Sequence, residues 1–463
     1  MAKKEYDLEE VFTPAQPAEL TYVERDAVLN KMLDSAIKTR GEQIILYGHT
    51  GVGKSTLINN KIKNSITTNC TDSMKLRDIL LHAFKELDSF YTKNKSSKIG
   101  GSISAEYFGI KASIYAETSE TLEKSEILTN PQILAKYIGE AKCCWVIEDF
   151  HKLGESEKKQ MSQIMKVFSD RSVKYSSLKI IVIGAINTAR EVVQLDPEMD
   201  GRISQIEIPL MTQEELIKIL DKGKNLLNVE IPKNVAYKIA NYSHGLPKIT
   251  HQLAKLLCEN SNIQHTCKLE KPFEIPKENF DKAVDMFLLK NSGTFKSQYE
   301  IATRVDKKRE KPSDILDALL EYGKESVSFF EIKKSLKESN IFYRDNSLKN
   351  ILGELCSSER AKILSLNKES MTYYFSDLFM KSYCFLGKLR EEEKLSINDT
   401  TLTIIRVSYE HLQKQKPRVY RDDVFDFVKK NYSDLTKKEI EKHIKHFFKK
   451  SVRTQEVKIK DGD

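Results

Sequence analysis

Eight consecutive residues, Gly48-His49-Thr50-Gly51-Val52-Gly53-Lys54-Ser55, have the types and spacing to hold a phosphate chain. Glycines at 48, 51 and 53 let successive backbone N–H groups curl round an anion without Cβ clashes, and a helix starting at Lys54 turns its positive end toward the charge. Lys54 then reaches the β- and γ-phosphates as a point charge, Ser55 ligates Mg²⁺ through its hydroxyl, and Thr56 falls near the α-phosphate. A second group is Cys143-Cys-Trp-Val-Ile-Glu-Asp149, an apolar run ending in two carboxylates. In phosphoryl chemistry one such acid, here Glu148, holds magnesium through water, and the next, Asp149, orients the attacking water. The same pair would also serve as a cap for a following helix. His151 has no metal partner at a recognisable spacing and reads as a loop residue.

Three further positions carry weaker signals. Asn187 lies just past the apolar run Lys179-Ile-Ile-Val-Ile-Gly184, where an amide senses a γ-phosphate or caps a helix. Arg202 opens a strand in Asp200-Gly-Arg-Ile-Ser, placed either to reach a neighbouring subunit's nucleotide or to stand at the surface. Lys248 follows Gly245-Leu-Pro247 at a helix start, from which its side chain approaches phosphates or simply begins the helix.

The elements that must position these groups follow from periodicity. Gln43-Ile-Ile-Leu-Tyr47 is a short apolar run feeding into glycine, as a buried parallel strand would, and residues 54–63 carry the outgoing helix. With the runs at 143–147 and 179–184 and a charged helix over 156–170 between them, the pattern is α/β: a parallel sheet with helices on both faces. Residues 12–17, Phe-Thr-Pro-Ala-Gln-Pro, read as extended backbone, followed by a helix over 25–39. A weak alternation over 103–115 reads as an inserted hairpin. From Thr212-Gln-Glu-Glu215, a capping box, the chain turns helical. The expected organisation is an extended segment and entry helix (1–40), a phosphate-binding core (41–210), a helical lid (211–295), a charged linker ending in proline (296–312), a winged helix (313–390) and a C-terminal helical, HTH-like segment (391–463).

Length bounds this reading, because single cores stop growing near ~250 residues and 463 residues call for several domains. Hydrophobic residues at 40% and charged residues at 31% are ordinary for a globular chain, so disorder is not the default. The longest apolar stretch, 180–186, is far short of the ~20 residues that cross a bilayer, and no signal-peptide core follows Met1. A cytoplasmic protein without membrane contact is expected. Seven scattered cysteines form no Cys-x-x-Cys pair, which points to reduced thiols and away from a zinc ribbon. A formal charge of +8 leaves contact with double-stranded DNA open, with the basic segment Lys437–Lys450 as its best support.

Together these segments resemble the AAA+ and STAND-like ATPases, the group that includes the ExeA, TniB and TnsC families and the replication-initiator clade. The resemblance covers about 12–262 and rests on Tyr22-Val-Glu-Arg-Asp26, similar to the family's F-V-G-R-E, and on the Gly48–Ser55 Walker A loop. Val-Ile-Glu-Asp-Phe-His151 stands in place of I-I-D-E-A-H, Arg202-Ile precedes Ile208-Pro-Leu-Met-Thr-Gln-Glu-Glu-Leu216, and Gly245-Leu-Pro-Lys248 resembles the lid motif. The resemblance implies ATP and Mg²⁺ as cofactors, a site completed at a subunit interface by Arg202, ATP-dependent homo-oligomerisation and a winged helix after the lid. Two departures stand out: Glu148-Asp149 reverses the family's Asp-Glu order, and Lys248 replaces an arginine.

Three functions are compatible with this sequence. The first is an ATPase switch that recruits a protein effector, in bacterial defence or signalling by family association. The second is a DNA-dependent ATPase of the transposition or initiator kind. The third is a nucleotide-locked scaffold with little turnover, which the reversed acid order permits.

Overall fold

Ile44, Ile45 and Leu46 are fully buried, as a strand covered on both faces requires. In the computed structural model they belong to β1 (Gln43–Tyr47), which is joined by β2 (Ser65–Asn69), β3 (Cys144–Glu148), β4 (Lys179–Gly184) and β5 (Ile203–Glu207) in one sheet. The strand order is β2-β3-β4-β1-β5, and every adjacent pair is parallel. The structure describes residues 4–94, 129–185, 196–305, 311–322, 324–390 and 421–431, and residues 405, 408, 409, 412, 437, 440, 441 and 444. The hairpin expected over 103–115 lies outside them.

Parallel pairing requires crossovers, and helices α1 (Ala27–Lys38), α2 (Lys54–Lys61), α3 (Leu76–Asn94), α4 (Pro131–Glu140) and α5 (Glu155–Arg171) cover the sheet. Asp26 fixes the start of α1 by accepting from the Val28 and Leu29 N–H groups at 2.9 and 3.0 Å. Trp145 on β3 is fully buried; its indole N–H donates to the Thr68 hydroxyl on β2 at 3.0 Å, and its ring packs on Phe168 of α5. The sheet order and the glycine loop after β1 are those of a P-loop NTPase fold.

Four helices follow the sheet: α6 (Gln213–Leu227), α7 (Lys233–Tyr242), α8 (Pro247–Glu259) and α9 (Asn279–Lys290), with β6 (Val229–Glu230) and β7 (Phe273–Glu274) pairing in parallel between them. The capping box expected at Thr212 is present: its hydroxyl accepts from the Glu215 N–H at 3.2 Å and Glu215 accepts from the Thr212 N–H at 2.8 Å. Gly245, at φ +78°, ends the chain's run after α7, and Pro247 begins α8 without a missing donor. The N-terminal segment is anchored by Phe12, fully buried, whose ring lies edge-on to His251 of α8 and fills the space beside Gly223 of α6.

These elements form one compact unit, residues 1–296 with 375–382. The second unit, 297–374 with 383–463, has its own core. Helix α10 (Ser292–Thr303) runs through the first part of 296–312, which charge and proline had assigned to a linker; Ala302 is buried in it. Then come α11 (Pro312–Glu321), β8 (Val327–Ser328), α12 (Phe329–Glu338), α13 (Asp345–Leu355), β9 (Leu364–Asn367) and β10 (Thr372–Phe375), with strand order β8-β10-β9. Ile315, Leu319, Ile332, Leu336, Leu348 and Leu352 recur at helical spacing and are buried. Helix α14 (Arg421–Asn431) contributes Val424 and Val428 to a small cluster with Ile405, Leu412, Ile440 and Ile444. Most of the basic segment Lys437–Lys450 lies outside the described residues.

Gly223 offers a test of how the N-terminal segment is held. A Cβ there would fall 2.2 Å from the Phe12 ring. Although glycine costs a helix interior about 1 kcal/mol relative to alanine, Gly223→Val is expected to destabilise the protein by about 1–3 kcal/mol through overpacking. A urea titration followed by circular dichroism measures the shift.

Candidate functional site

Because β1, β3 and β4 run parallel, their carboxyl ends share one edge of the sheet. This edge carries the Gly48–Ser55 loop after β1 and the Glu148-Asp149 pair at the end of β3. A cavity of about 270 Å³ opens there, lined by residues of the loop, both acids, the N-terminal segment and the first turns of α8. Ligands of open parallel sheets sit at this edge.

The loop's shape depends on glycine. Gly48 has φ +150°, and a Cβ on it would meet the Ile208 carbonyl oxygen at 2.6 Å, so the loop leaves β1 pressed against the chain that follows β5. Gly53 is left-handed at φ +96° and caps the N-terminus of α2, where no side chain does so. Thr50, Gly51, Val52, Lys54, Ser55 and Thr56 line the cavity; the His49 carbonyl takes part through a hydrogen bond. The Lys54 ammonium donates to the Gly48 and His49 carbonyls, 2.8 Å each, which holds it at the mouth of the loop.

Lys54 and the acids are electrically coupled. Burial pushes the Lys54 ammonium down to about 8, against the pull of Glu148 and Asp149. Burial likewise raises the Glu148 carboxyl above the usual carboxylate range; a hydrogen bond from the Ser55 hydroxyl and the charge of Lys54 oppose it, while Asp149 adds to it. A hydroxyl and a carboxylate already in contact are hard oxygen donors of the kind Mg²⁺ takes, completed by phosphate and water. Among the described residues no three His, Cys, Asp or Glu side chains converge into an all-protein metal cage. The contact between the Ser55 hydroxyl and Glu148, beside Lys54, is a donor set that fits magnesium carried by a nucleotide.

Asp149 is one residue beyond the strand, left-handed at φ 56°, and its carboxylate pairs with Lys152 at 2.6 Å across a single helical turn. His151 lies in that turn, half-buried and lining the cavity, with its Nδ1 buried and unpartnered; burial lowers its pKa.

The weaker candidates divide. Lys248 lines the cavity at the start of α8; its backbone N–H faces the Gly51 carbonyl at 3.5 Å, and its ammonium lies over the Phe379 ring, 5.3 Å from the centroid. Arg202 is not in its own chain's cavity. It sits at the amino end of β5, its guanidinium on Asp170 at 2.9 Å and its carbonyl accepting from Gln43 N–H at the start of β1. Parallel strands put that end roughly 17 Å, one five-residue strand length, from the loop. Asn187 lies outside the described residues.

Sequence reasoning missed the residues that close the cavity from the N-terminal side and from α8. Thr13, Tyr22 and Arg25 line it, as does His251. Arg25 is buried and donates to the Pro209 carbonyl, tying the segment to the chain after β5. The prolines at 14 and 17 suggested extended backbone, whereas Pro14 and Ala15 form a turn and Gln16 a bend, and no local pattern signalled the segment's destination.

No known family model matches the chain. It is 25% identical over 242 residues to the Holliday junction branch migration complex subunit RuvB of Orientia tsutsugamushi strain Boryong, covering 49% of this chain and 68% of that protein. The strain Ikeda protein of the same name matches equally. Similar solved structures include the Walker-type ATPase PABY2304 of Pyrococcus abyssi, at 14% identity and a TM-score of 0.47 over 79% of this chain and 99% of that one. The ORC2 protein of Aeropyrum pernix gives 12% identity and a TM-score of 0.46 over 84% and 99%. The two structural likenesses, both at TM-scores below 0.5, carry no argument, and the fold rests on the strand order and loop geometry above.

The coupling between Lys54 and Glu148 is testable directly. Glu148→Gln removes a charge that holds the ammonium up, so the Lys54 pKa is expected to fall below its value of about 8. Side-chain NMR of ¹³C-labelled lysine across pH 6–10 reads the shift.

Proposed function

We propose that this chain is a AAA+/STAND-like ATPase that binds Mg-ATP in the cavity between the Gly48–Ser55 loop and the Glu148-Asp149 pair, hydrolyses it slowly, and works as an oligomerising switch. The observation that carries the reading is the hydrogen bond from the Ser55 hydroxyl to Glu148, with Lys54 in the same cavity. It joins two sequence-distant groups whose types match magnesium and phosphate.

In this reading the glycine loop's N–H groups and Lys54 hold the β- and γ-phosphates. Ser55 and Glu148 would hold magnesium, which neutralises charge on the phosphate oxygens. Asp149 orients the attacking water and takes up its proton. Its pairing with Lys152 and its short side chain support slow turnover. Arg202, partly buried at the far end of β5 and outside its own chain's cavity, is read as serving a neighbouring copy's site, with homo-oligomerisation as the switched event. Lys248, which lines the cavity, is read as a sensor of the phosphates, and Asn187 is assigned the same role from its place in the sequence alone. We read the second unit, with three helices before a β-hairpin and β8 at its edge, as a winged helix that presents or recruits a protein effector. Defence or signalling as its setting is carried by family resemblance alone.

One observation favours the second reading, a DNA-dependent ATPase: the 242-residue likeness to a subunit named for Holliday junction branch migration. ATPase assays with and without duplex DNA over a salt series separate the two. Stimulation by DNA that fades steeply with salt selects the DNA-dependent enzyme; stimulation that follows protein concentration and is lost in Arg202→Ala selects the switch.

Two outcomes test the catalytic core. Asp149→Asn is expected to bind ATP within a few-fold of the unsubstituted chain and to lose about 10²–10⁴ in turnover, measured by phosphate release and by binding of a fluorescent ATP analogue. Binding itself is expected to weaken as pH rises through the Lys54 pKa of about 8, because only the ammonium form attracts phosphate. Lys54→Arg, whose guanidinium stays charged, is expected to bind more weakly at pH 7 yet lose that pH dependence.

A further inference from the structure

The cavity holds more buried polar atoms than the phosphates of a nucleotide would use. The Thr13 hydroxyl, the Tyr22 hydroxyl and the Nε and Nη1 of Arg25 are buried without hydrogen-bond partners, and all three residues line it. Buried polar atoms left unmatched are costly, so a group of them around one cavity marks a place where a ligand supplies the partners. The lining between them is apolar, with Pro17, Val23, Met211 and Ile219. Apolar walls with a few fixed polar groups suit a flat heterocycle.

His251 is the one ring in this lining whose proton position the structure settles. It is 4% exposed on α8, and its Nδ1 accepts a hydrogen bond from the Thr13 backbone N–H at 3.1 Å. A nitrogen that accepts carries no proton, and burial pushes the ring pKa down to about 4, so the neutral ring bears its proton on Nε2. The edge-on contact with Phe12, 6.0 Å between centroids, holds the ring's orientation. Among the described residues the ring's hydrogen bond is the one at Nδ1, and Nε2 makes none.

We infer that His251 selects the base of the nucleotide: its Nε2–H donates to an unprotonated ring nitrogen of adenine seated between the N-terminal segment and α8. This deepens the proposed function and rests on it. The hydrogen bond from Thr13 sets the tautomer, so one contact both ties the N-terminal segment to α8 and points the donor at the base. Because the ring stays neutral well below pH 7, the selection does not vary across the physiological range.

Binding of ATP, 1-deaza-ATP, 3-deaza-ATP and 7-deaza-ATP to the full chain, and to His251→Asn and His251→Gln, tests this. Asparagine keeps an acceptor for Thr13 and loses the donor at the Nε2 position; glutamine reaches that position with its amide N–H. One deaza analogue is expected to bind the unsubstituted chain about 3- to 10-fold more weakly than ATP. His251→Asn should weaken ATP by the same factor and that analogue no further, while His251→Gln keeps most of the discrimination. Equal binding of all four ligands to the unsubstituted chain would overturn the inference with ATP binding intact. So would a loss in His251→Asn shared evenly by ATP and every analogue, the signature of a purely structural role. If the asparagine variant does not fold, the unsubstituted chain and the glutamine variant decide it. Absence of ATP binding to the unsubstituted chain overturns the nucleotide reading itself.

Discussion

The placement of β4 between β1 and β3 is the constraint from which the site follows. Parallel pairing on both sides of β4 brings the end of β1 and the end of β3 to one edge, one strand apart, and from there the Ser55 hydroxyl reaches Glu148. The strand that separates them is the most completely buried in the sheet, since all six of its residues are covered. Even Lys179 at its start is buried, its ammonium satisfied by the Thr39 and Glu42 carbonyls at 2.5 and 2.7 Å.

Concentrating an ammonium and two carboxylates at that edge has an electrostatic consequence. Lys54 and Glu148 both lose solvation, and burial moves both toward their neutral forms; each also stabilises the charged form of the other. Neither group is settled by the protein alone. A phosphate chain with its cation adds charges of both signs to a region of low dielectric, where they act more strongly than in water. Ligand charge thus finishes an arrangement that the fold leaves balanced.

The strand-loop-helix unit was legible because its chemistry needs specific residues at fixed spacing, and β1, β3 and β4 because apolar runs bounded by glycine or charge have few other readings. β2 was not, since Ser-Ile-Thr-Thr-Asn is half polar and only Ile66 and Thr68 are buried. Arg202 was legible as a strand start, but its distance from its own chain's loop depends on the direction in which β5 pairs. His251 left no signal at all. It lies on α8 among Ile249, Leu253, Ala254 and Leu257, where helical periodicity assigns it to the core. Its significance comes from Thr13, far away in sequence, and contacts of that range leave no trace in local pattern. The Phe12–Gly223 fit was hidden in the same way.

Trp145 is the single tryptophan of the chain, and it lies three residues before Glu148 with its indole sealed between β2 and α5. The protein therefore carries an optical label of its own. Intrinsic tryptophan emission comes entirely from the centre of the first unit, and the second unit is dark at that wavelength. Quenchers dissolved in water reach the indole only when the sheet itself opens. Fluorescence thus separates the melting of the sheet from that of the second unit, without any introduced dye.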